Sequence, residues 1–342
     1  MGQAEKKERF DKLTGAQLLW ASTIGASFDL GIMNRAMLIP SMKTAAQRLV
    51  LHQMQKGSFP FLEDNELDID FFKKTFENLN QCIHFANRYE IELKDDTVIL
   101  KINRDSCMYC PTGVGGAQLG LAICPYPQLF SVYIDSVIKN AYKFKTVDMV
   151  KSEDGLYMYK EDEWDIVPFK IRDDDEFKEM VDILNEGAKE IESVLEDSLK
   201  NGVISNEDLW DRNYIEVPDT NPQKYKTKFT DFVKEYVQPI EDKYLAKNKK
   251  FRFFLLVDDN GYAAAHNSMY DKDLTGDYKK DLLGNRSMRI FNDFTGLQCA
   301  RHEREFLLQP YPRDVGVLMY DLSKPIYVEG KHWGGLRVGI KY

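Results

Sequence analysis

Three cysteines in the first half of the chain have a spacing that suits metal or redox chemistry. Cys107 and Cys110 form a C-x2-C pair, and Cys124 lies 14 residues further on. Thiolates at this spacing can bind a tetrahedral zinc ion, hold an iron–sulfur cluster or form a redox disulfide. The fourth ligand of a zinc site would be Cys82, His84 or a carboxylate such as Asp105. Because cysteine is often buried without any chemical role, a set of small buried residues is the alternative interpretation.

The C-terminal segment, residues 285–342, combines arginines and aromatic residues with short β-type runs. Planar guanidinium groups can bind a carboxylate or a phosphate through two parallel hydrogen bonds. Aromatic side chains can form the apolar walls of a small-molecule pocket. We therefore predict ligand contacts from Tyr262, His266, Asn267, Arg286, Arg289, Tyr311, Arg313, His332, Trp333 and Arg337. The alternative is that the arginines form ion pairs that hold loops onto the sheet, with Asp277, Asp281, Asp293 and Asp314.

His266 and His332 each allow two interpretations. Either imidazole can ligate a haem or another metal, or change its charge near neutral pH. A single histidine beside a tryptophan in a strand, as at His332, is more often a hydrogen-bonded packing residue. The sequence has no C-x-x-C-H motif for covalent haem attachment, so haem binding is the minority interpretation.

Composition and charge exclude several classes of protein. The 342 residues have a formal net charge of −9, which argues against nucleic acid as a partner, because phosphate binding needs a clustered basic surface. No apolar run approaches the roughly 20 residues of a membrane span, and no apolar segment follows the basic N-terminal residues as in a secretory signal. Because the five cysteines are an odd number, we expect a soluble protein of the reducing cytoplasm.

Enzyme motifs are missing from the sequence. It has no Walker-type phosphate loop and no G-x-S-x-G, and residues 113–116 lack the glycine spacing of a dinucleotide-binding loop. This favours a binding protein over an enzyme.

Apolar periodicity predicts the elements that must position the candidate residues. Helical patterns cover residues 14–54, which Pro40 divides, and residues 66–88, 177–195 and 229–237. β-type patterns predict a hairpin at 89–102 and strands at 147–150, 156–159, 164–169, 251–257, 262–266, 306–308, 315–320, 326–328 and 336–340. The chain therefore divides into an N-terminal helical region (1–60), an α+β domain with the three cysteines (61–172), and long helices with an antiparallel sheet (173–342).

The motifs GYAAAHN (261–267), TGD (275–277), NRSMRIFNDFTGL (285–297), FLLQPYPRD (306–314) and KHWGGLRVGIKY (331–342) follow one another in the second half. Together, over about residues 173–342, they resemble the PAS/Cache-like sensory segment of bacterial methyl-accepting chemotaxis proteins. The resemblance implies a five-stranded antiparallel sheet that binds a small molecule. Pro312, Ala263 and Ala264 depart from the pattern, and the sequence lacks the heptad-bearing hairpin by which chemoreceptors contact their kinase.

The helix at 66–88, the hairpin after it, the sequence Asp105-Ser106-Cys107, and Cys110 and Cys124 are also similar to a known domain. Over about residues 35–170 they resemble the 4-vinyl-reductase-type small-molecule-binding domain, a bacterial sensory and accessory module. The later cysteine pair of that family is absent after residue 150.

These observations predict an α+β protein with an N-terminal helical and antiparallel-sheet part, followed by long helices and a five-stranded PAS/Cache-like sheet. The resemblances imply a cytoplasmic sensor of bacterial signal transduction, responding to a small molecule, a metal or a redox change and acting on a signalling partner. The helix at 177–195 is a candidate homodimer seam. The alternative is a zinc- or iron–sulfur-dependent enzyme or redox protein that uses Cys107, Cys110 and Cys124.

Overall fold

The computed structural model describes residues 13–63, 66–110, 114, 124–141, 143–150, 158–312 and 318–341. The chain forms two compact units, the first ending at Asp174 and the second beginning at Asp175. Both units combine helices with antiparallel sheet, which confirms the predicted α+β class. Within the described ranges, no helix has the length and apolar character needed to cross a bilayer.

The first unit packs helices against an antiparallel sheet with strand order β1-β2-β5-β3, in which β4 also pairs with β5. Its described helices are α1 (Gly15–Asp29), α2 (Arg35–Gln55), α3 (Ile69–Ile83) and α4 (Tyr126–Ala141). Its described strands are β1 (Tyr89–Lys94), β2 (Thr97–Asn103), β3 (Lys145–Met149), β4 (Tyr159–Glu161) and β5 (Trp164–Asp173). The hairpin predicted at 89–102 is confirmed, because Tyr89 pairs with Ile102 and Lys94 with Thr97.

The N-terminal helical segment divides at a different place from the predicted one. Pro40 lies inside α2, and the break falls between α1 and α2. Gly31 has a φ of 68° in this break, a left-handed conformation that glycine adopts readily and that ends helices. Asn34 then caps α2 by accepting a hydrogen bond from the Met37 N–H. The prediction from Pro40 was wrong because glycine and the asparagine cap set the boundary.

The second unit packs helices on both faces of an antiparallel sheet. Its described helices are α5 (Asp175–Lys200), α6 (Asn206–Leu209), α7 (Thr230–Phe232), α8 (Gln238–Leu245), α9 (Tyr278–Gly284) and α10 (Phe294–Arg301), and a π-helical turn (Val233–Val237) joins α7 to α8. Its described strands are β6 (Ile215–Val217), β7 (Lys224–Lys226), β8 (Phe251–Asp258), β9 (Tyr262–Ala263), β10 (Arg289–Ile290), β11 (Leu307–Pro312), β12 (Leu318–Val328) and β13 (Lys331–Ile340). The apolar positions that predict helix α5 are all buried; they are Phe177, Val181, Leu184, Ala188, Ile191 and Leu195.

The main sheet of the second unit has the strand order β11-β12-β13-β8 among the described residues. The predicted fifth strand is therefore wrong, since β9 pairs with β10 in a separate ribbon. Side chains occupy the free edge of β8 instead. The Phe254 N–H donates to Asn267 Oδ1 (2.9 Å), and the Leu256 N–H donates to Glu241 Oε1 (2.8 Å). The predicted runs at 315–320 and 326–328 are parts of one strand, β12, and residues 315–317 lie outside the described ranges.

The register of this sheet places polar groups on the face that α10 covers, which we call the inner face. Gln309 pairs with Asp321, Asp321 with Gly339, and Gly339 with Phe253. Directly opposed residues of antiparallel strands lie on the same face. The inner face therefore carries two adjacent polar side chains, Gln309 and Asp321, in the same row as Gly339 and Phe253, while α5 and α8 cover the opposite face.

Gly335 allows α10 to lie directly on β13. A Cβ atom added at Gly335 would lie 2.3 Å from the backbone oxygen of Cys299. Since that atom is backbone, a larger side chain would force the helix away from the sheet.

We expect the substitution Gly335→Ala to destabilise the second unit by about 1–3 kcal/mol, the usual cost of overpacking a core. Thermal and urea denaturation would measure the loss. Gly284→Ala is the matched control, because its added Cβ would only touch the flexible side chain of Lys272 at 3.7 Å. Equal stability of the two variants would contradict the close approach of α10 to β13.

Candidate ligand-binding site

Several predicted ligand residues of the second unit meet in one cluster of arginines and aromatic rings. The guanidinium of Arg337 lies 4.9 Å from the ring centroid of Tyr311 and 5.4 Å from that of Phe253. Those of Arg286 and Arg289 lie 5.3 Å and 5.1 Å from the ring centroid of Phe291. The three rings share one buried hydrophobic cluster. We call this set the arginine–aromatic cluster; its members are Arg286, Arg289, Arg337, Phe253, Phe291 and Tyr311.

Arg337 forms a buried ion pair with Asp321 at the centre of the inner face. Its Nε donates to Asp321 Oδ2 (2.7 Å), and Nη2 lies 2.6 Å from the same oxygen. Burial alone would lower the pKa of Arg337, but the Asp321 carboxylate holds it above its usual value. Burial also raises the pKa of Asp321, against the opposing effect of Arg337. The charge of Arg337 is thus balanced by Asp321, a partner that the sequence prediction did not name.

Two acceptors beside this ion pair have no hydrogen-bond partner among the described residues. They are Asp321 Oδ1 and Gln309 Oε1. The amide nitrogen of Gln309 donates to the Thr295 carbonyl oxygen (2.9 Å), and the Gln309 side chain is close enough to Asp321 to lower the pKa of that carboxyl. Buried polar atoms are nearly always hydrogen-bonded. These two acceptors could therefore accept a hydrogen bond from a ligand or a water molecule.

Arg286 and Arg289 lie beneath α9. The Nη1 atoms of both are 3.4 Å from the carbonyl oxygen of Leu282 on that helix. Both arginines therefore contact α9 at the same carbonyl oxygen. Arg286 is 5 % exposed and Arg289 is half-buried. Both guanidinium groups lie against the ring of Phe291.

Two lysines add to the positive charge here, and the sequence prediction missed both. The pKa of Lys224 is lowered to about 8, mainly by burial and also by Lys234 and Arg289, while Asp271 and Asp281 oppose the change. Lys234 lies on the π-helical turn and pairs with Asp271 (3.2 Å). π-turns occur often at functional sites, but no sequence period marks them. We call Lys224, Lys234, Arg286 and Arg289 the cationic group.

Tyr262 and Trp333 lie in another cluster, around Phe229, at ring-centroid distances of 5.8 Å and 5.5 Å. The Trp333 indole N–H donates to the Leu209 carbonyl oxygen (3.1 Å), and the guanidinium of Arg212 lies 5.2 Å from the Trp333 ring. The Tyr262 hydroxyl donates to the Tyr225 carbonyl oxygen (2.8 Å). These two residues hold loops onto the sheet, and the structure does not bring them to the arginine–aromatic cluster.

His266 and Asn267 lie near the inner face, and each takes part in a hydrogen bond that involves a backbone N–H group. The His266 N–H donates to Ser287 Oγ (2.9 Å), and its buried ring lies 6.0 Å from that of Phe253. Asn267 is fully buried, and both ends of its amide are used: Oδ1 accepts from Phe254, and Nδ2 donates to Asp242 (3.2 Å). His266 thus borders the arginine–aromatic cluster, whereas Asn267 completes the edge of β8.

His332 lies elsewhere, with its ring 5.6 Å from that of Tyr327. Its electrostatic neighbour is His302, whose Nε2 is 3.0 Å from Ser323 Oγ. Burial lowers the pKa of His302 to about 3, with smaller contributions from His332, Arg304 and Lys324. This pair was not predicted, since 30 residues separate the two histidines. The remaining predicted contact, Arg313, lies outside the described residues.

The cysteines of the first unit remain thiols in the structure. Cys107 is buried, and Cys110 and Cys124 are half-buried. Burial, followed by the nearby Cys110 thiol, raises the pKa of Cys124 well above its usual range, which disfavours the thiolate form that metals and disulfide exchange require. In the described ranges, no three His, Cys, Asp or Glu side chains form a group that could hold a metal ion, and residues 111–113 and 115–123 are outside them. The zinc, iron–sulfur, redox and haem hypotheses stay predictions.

We expect Asp321→Asn to destabilise the protein by about 3–5 kcal/mol, because it leaves the buried Arg337 charge without its partner. Adding Arg337→Met should restore much of the loss. The matched control is Asp231→Asn in the exposed pair Lys226–Asp231 (2.8 Å), which should cost less than about 1 kcal/mol. Urea denaturation of Asp321→Asn, Arg337→Met, the double variant and the Asp231→Asn control measures the coupling. Additive effects of the Asp321 and Arg337 changes would contradict a buried pair.

We also expect His302 to make the protein less stable in acid. The unfolded chain binds a proton at this imidazole below its ordinary pKa of 6.5, whereas the folded protein binds it only near 3. The unfolded state therefore holds more protons between these values, so this contribution to stability falls as pH drops, by at most about 1.4 kcal/mol per pH unit. Urea denaturation from pH 7 to pH 4 should show a shallower loss for His302→Asn than for the unsubstituted protein. Parallel curves would mean that the His302 imidazole titrates normally.

Comparisons with known proteins give limited relationships. The model of the MJ0207 family matches residues 31–160, which is less than half of the chain. No curated protein matches the sequence. An extracellular ligand-binding receptor from Desulfohalobium retbaense DSM5692 is 14 % identical with a TM-score of 0.21, over 52 % of this chain and 28 % of the receptor. The chain thus spans little more than a quarter of that receptor's length, and a similarity this low carries no inference about fold or function.

Proposed function

We propose that the second unit binds a small anionic molecule through its carboxylate or phosphate group, and that the protein is a sensor. The anion would lie against the cationic group, and its apolar part against the rings of the arginine–aromatic cluster. The chemoreceptor resemblance adds a cytoplasmic location and a signalling partner to the proposal. A homodimer through α5 is a further hypothesis.

The observation that carries the proposal is the grouping of cationic side chains in one place. Lys224, Lys234 and Arg289 lie within electrostatic reach of one another, and Arg286 shares the ring of Phe291 with Arg289, in a chain whose net charge is −9. The neighbouring carboxylates have other donors: Asp271 accepts from Gln238 (3.2 Å), and Asp281 accepts from the N–H and the hydroxyl of Thr275 (2.8 and 2.7 Å). Cationic groups gathered in one place raise the local positive potential, which would attract an anionic ligand.

The surroundings of the cationic group suit a small organic anion. Phe253, Phe291 and Tyr311 offer apolar ring surface, and the acceptors Asp321 Oδ1 and Gln309 Oε1 are available for a donor group of the ligand. Pockets of this kind combine apolar walls with a few polar anchors. The ligand class that fits is a carboxylate or phosphate compound with a further N–H or O–H group.

The proposed response to the ligand passes through α9 and the sheet. Because Arg286 and Arg289 lie against Leu282 of α9, a ligand that draws these guanidinium groups towards itself would shift the helix. The sheet has α5 on its opposite face, and the chain enters the second unit through this helix. A ligand that prefers one arrangement of α9 would change the population of that arrangement, and α5 would relay the change.

The proposal predicts that small carboxylates or phosphates raise the melting temperature of the full chain more than uncharged analogues of the same size. In Arg286→Gln and Arg289→Gln, affinity should fall about 10- to 100-fold, because a hydrogen bond to a charged group contributes about 1.5–3 kcal/mol. Calorimetric titration of the ligands found by thermal shift would measure the loss.

Arg301→Gln is the matched control for these variants. This arginine lies on the exposed end of α10 and donates to the Asp259 carbonyl oxygen (2.8 Å), so its loss should leave affinity unchanged. If every detected ligand binds the Arg286 and Arg289 variants as tightly as the Arg301 variant, the proposed binding site is wrong.

A further inference from the structure

The sheet of the first unit ends in an edge strand, β1, whose outer side is paired with no described strand. β1 is the first strand of the order β1-β2-β5-β3, and its pairing with β2 runs without a register shift. The edge strands of the main sheet in the second unit differ from it: N–H groups of β8 donate to Asn267 and Glu241, and β11 contains Pro310 and Pro312, which have no N–H. An edge strand without such blocks can pair with a strand of another chain.

The outer side of β1 presents regularly spaced backbone donors and acceptors. Just before the strand, the Asn103 N–H donates to the Arg88 carbonyl oxygen (3.1 Å). Along an antiparallel pair, residues that bond to the opposite strand alternate with residues whose N–H and C=O groups point away from it. The register of β1 with β2 therefore directs the backbone groups of three residues outward, those of Tyr89, Ile91 and Leu93.

A groove of about 510 Å³ lies beside β1, and α3 forms its other wall. It is lined by Lys73 and Glu77 of α3 and by residues 89–92 of β1. Tyr89 and Ile91 are half-buried, so part of each side chain remains accessible. Burial, followed by the Glu77 carboxylate, raises the pKa of Tyr89, so this carboxylate lies near the start of the strand. The groove thus offers apolar surface and negative charge next to open backbone groups.

The charge of the groove is negative once its ion pairs are taken into account. Glu92 and Lys73 both have partners: the Glu92 carboxylate pairs with two lysines of the sheet (3.1 and 2.5 Å), and the Lys73 amine with an aspartate of α3 (3.9 Å). Glu77 and Glu90 are exposed, and neither forms an ion pair with a described residue. Lys101 is within electrostatic reach of Glu90 but bonds to Glu92. Two carboxylates therefore remain to attract a basic segment.

We propose that the outer edge of β1 binds an extended basic segment of a partner protein, which joins the sheet as a further strand. The backbone of the segment bonds to Tyr89, Ile91 and Leu93, as in other complexes formed by strand addition. Its lysine or arginine side chains, at alternate positions, pair with Glu77 and Glu90. This inference concerns the first unit and does not rest on the anion site of the second unit.

A second copy of the chain is the weaker candidate for this edge. The antiparallel pairing of two β1 strands that uses all three outward residues is centred on Ile91. It places Glu90 of each copy opposite Glu92 of the other, and like charges directly opposite each other destabilise a strand pair. A basic partner avoids this repulsion.

Titration of the full chain with designed hexapeptides tests the inference. The probe is a blocked hexapeptide in which lysine and valine alternate, and the matched control has glutamate in place of lysine. We expect the lysine peptide to bind at least about fivefold more tightly, a difference that shrinks as salt screens the charges. Hydrogen exchange followed by mass spectrometry should show protection of residues 89–94 when this peptide is added. Absence of binding by the lysine peptide, or equal binding of both peptides, would overturn the proposal.

Backbone methylation of the lysine peptide separates strand addition from simple charge attraction. Only alternate N–H groups of a bound strand face β1, so N-methyl groups at that set of positions should weaken binding about tenfold or more, because several hydrogen bonds are lost. The same number of N-methyl groups at the other set should leave the affinity nearly unchanged. Equal losses for the two peptides would contradict strand addition. Because the change is in the peptide, this comparison does not depend on the folding of any protein variant.

Protein variants locate the binding site. Ile91→Pro removes an outward N–H and should bind the lysine peptide at least about threefold more weakly than Ile91→Ala, which also loses side-chain packing but keeps the N–H. The double variant Glu77→Gln, Glu90→Gln should lose most of the preference for the lysine peptide. Glu163→Gln is the matched control, because this exposed residue lies in the turn between β4 and β5, and β2 separates β5 from β1. Equal peptide preferences in the double variant and the control would reject the two glutamates as the basis of the selectivity.

Sedimentation of the chain without peptide distinguishes the two possible occupants of the edge. We expect Ile91→Pro and Ile91→Ala to have the same association state as the unsubstituted chain. A dimer that Ile91→Pro dissociates and Ile91→Ala keeps would show that a second copy covers β1, which would overturn the proposed partner.

Discussion

The buried ion pair between Arg337 and Asp321 is the constraint on which the second unit depends. Two buried charges must stay paired, because an unpaired charge in the interior costs far more free energy than an unpaired charge at the surface. Glycine on both sides of Arg337 along β13, at Gly335 and Gly339, leaves room for the backbone of α10 and for the ring of Phe253. The arrangement of the inner face thus follows from one guanidinium group.

Hydrogen bonds within the segment between β9 and α10, and from this segment to Lys224, hold several charged side chains close together. The polar side chains here bond mainly to one another and to backbone: the Lys224 amine to Asn285 and Ser287, and Asp281 to its own turn. These bonds hold Lys224 next to the segment that carries Arg286 and Arg289, so cationic side chains lie close together within an acidic chain. The proposed selection of anions depends on this grouping.

Elements with strong periodicity could be predicted from the sequence, but the contacts between residues far apart in the chain could not. The apolar positions of α5 and the register of the β1–β2 hairpin follow from local patterns. The prediction of a fifth strand was wrong because side chains form the hydrogen bonds at the edge of β8. The contact of Trp333 with Arg212 had no signal in the sequence. Asp321 interrupts an apolar strand, a signal that could have identified it. Lys224 gave no such signal, since only the fold buries it.

The side-chain caps on β8 have a consequence for the behaviour of the protein in concentrated solution. An uncovered edge strand as apolar as Phe251–Asp258 would be a template on which other chains could add strands, the first step towards amyloid-like aggregates. Asn267 and Glu241 accept from two of its N–H groups, those of Phe254 and Leu256, and a side chain, unlike a strand, offers no further edge to the next molecule. These two N–H groups are therefore not available for strand addition at β8.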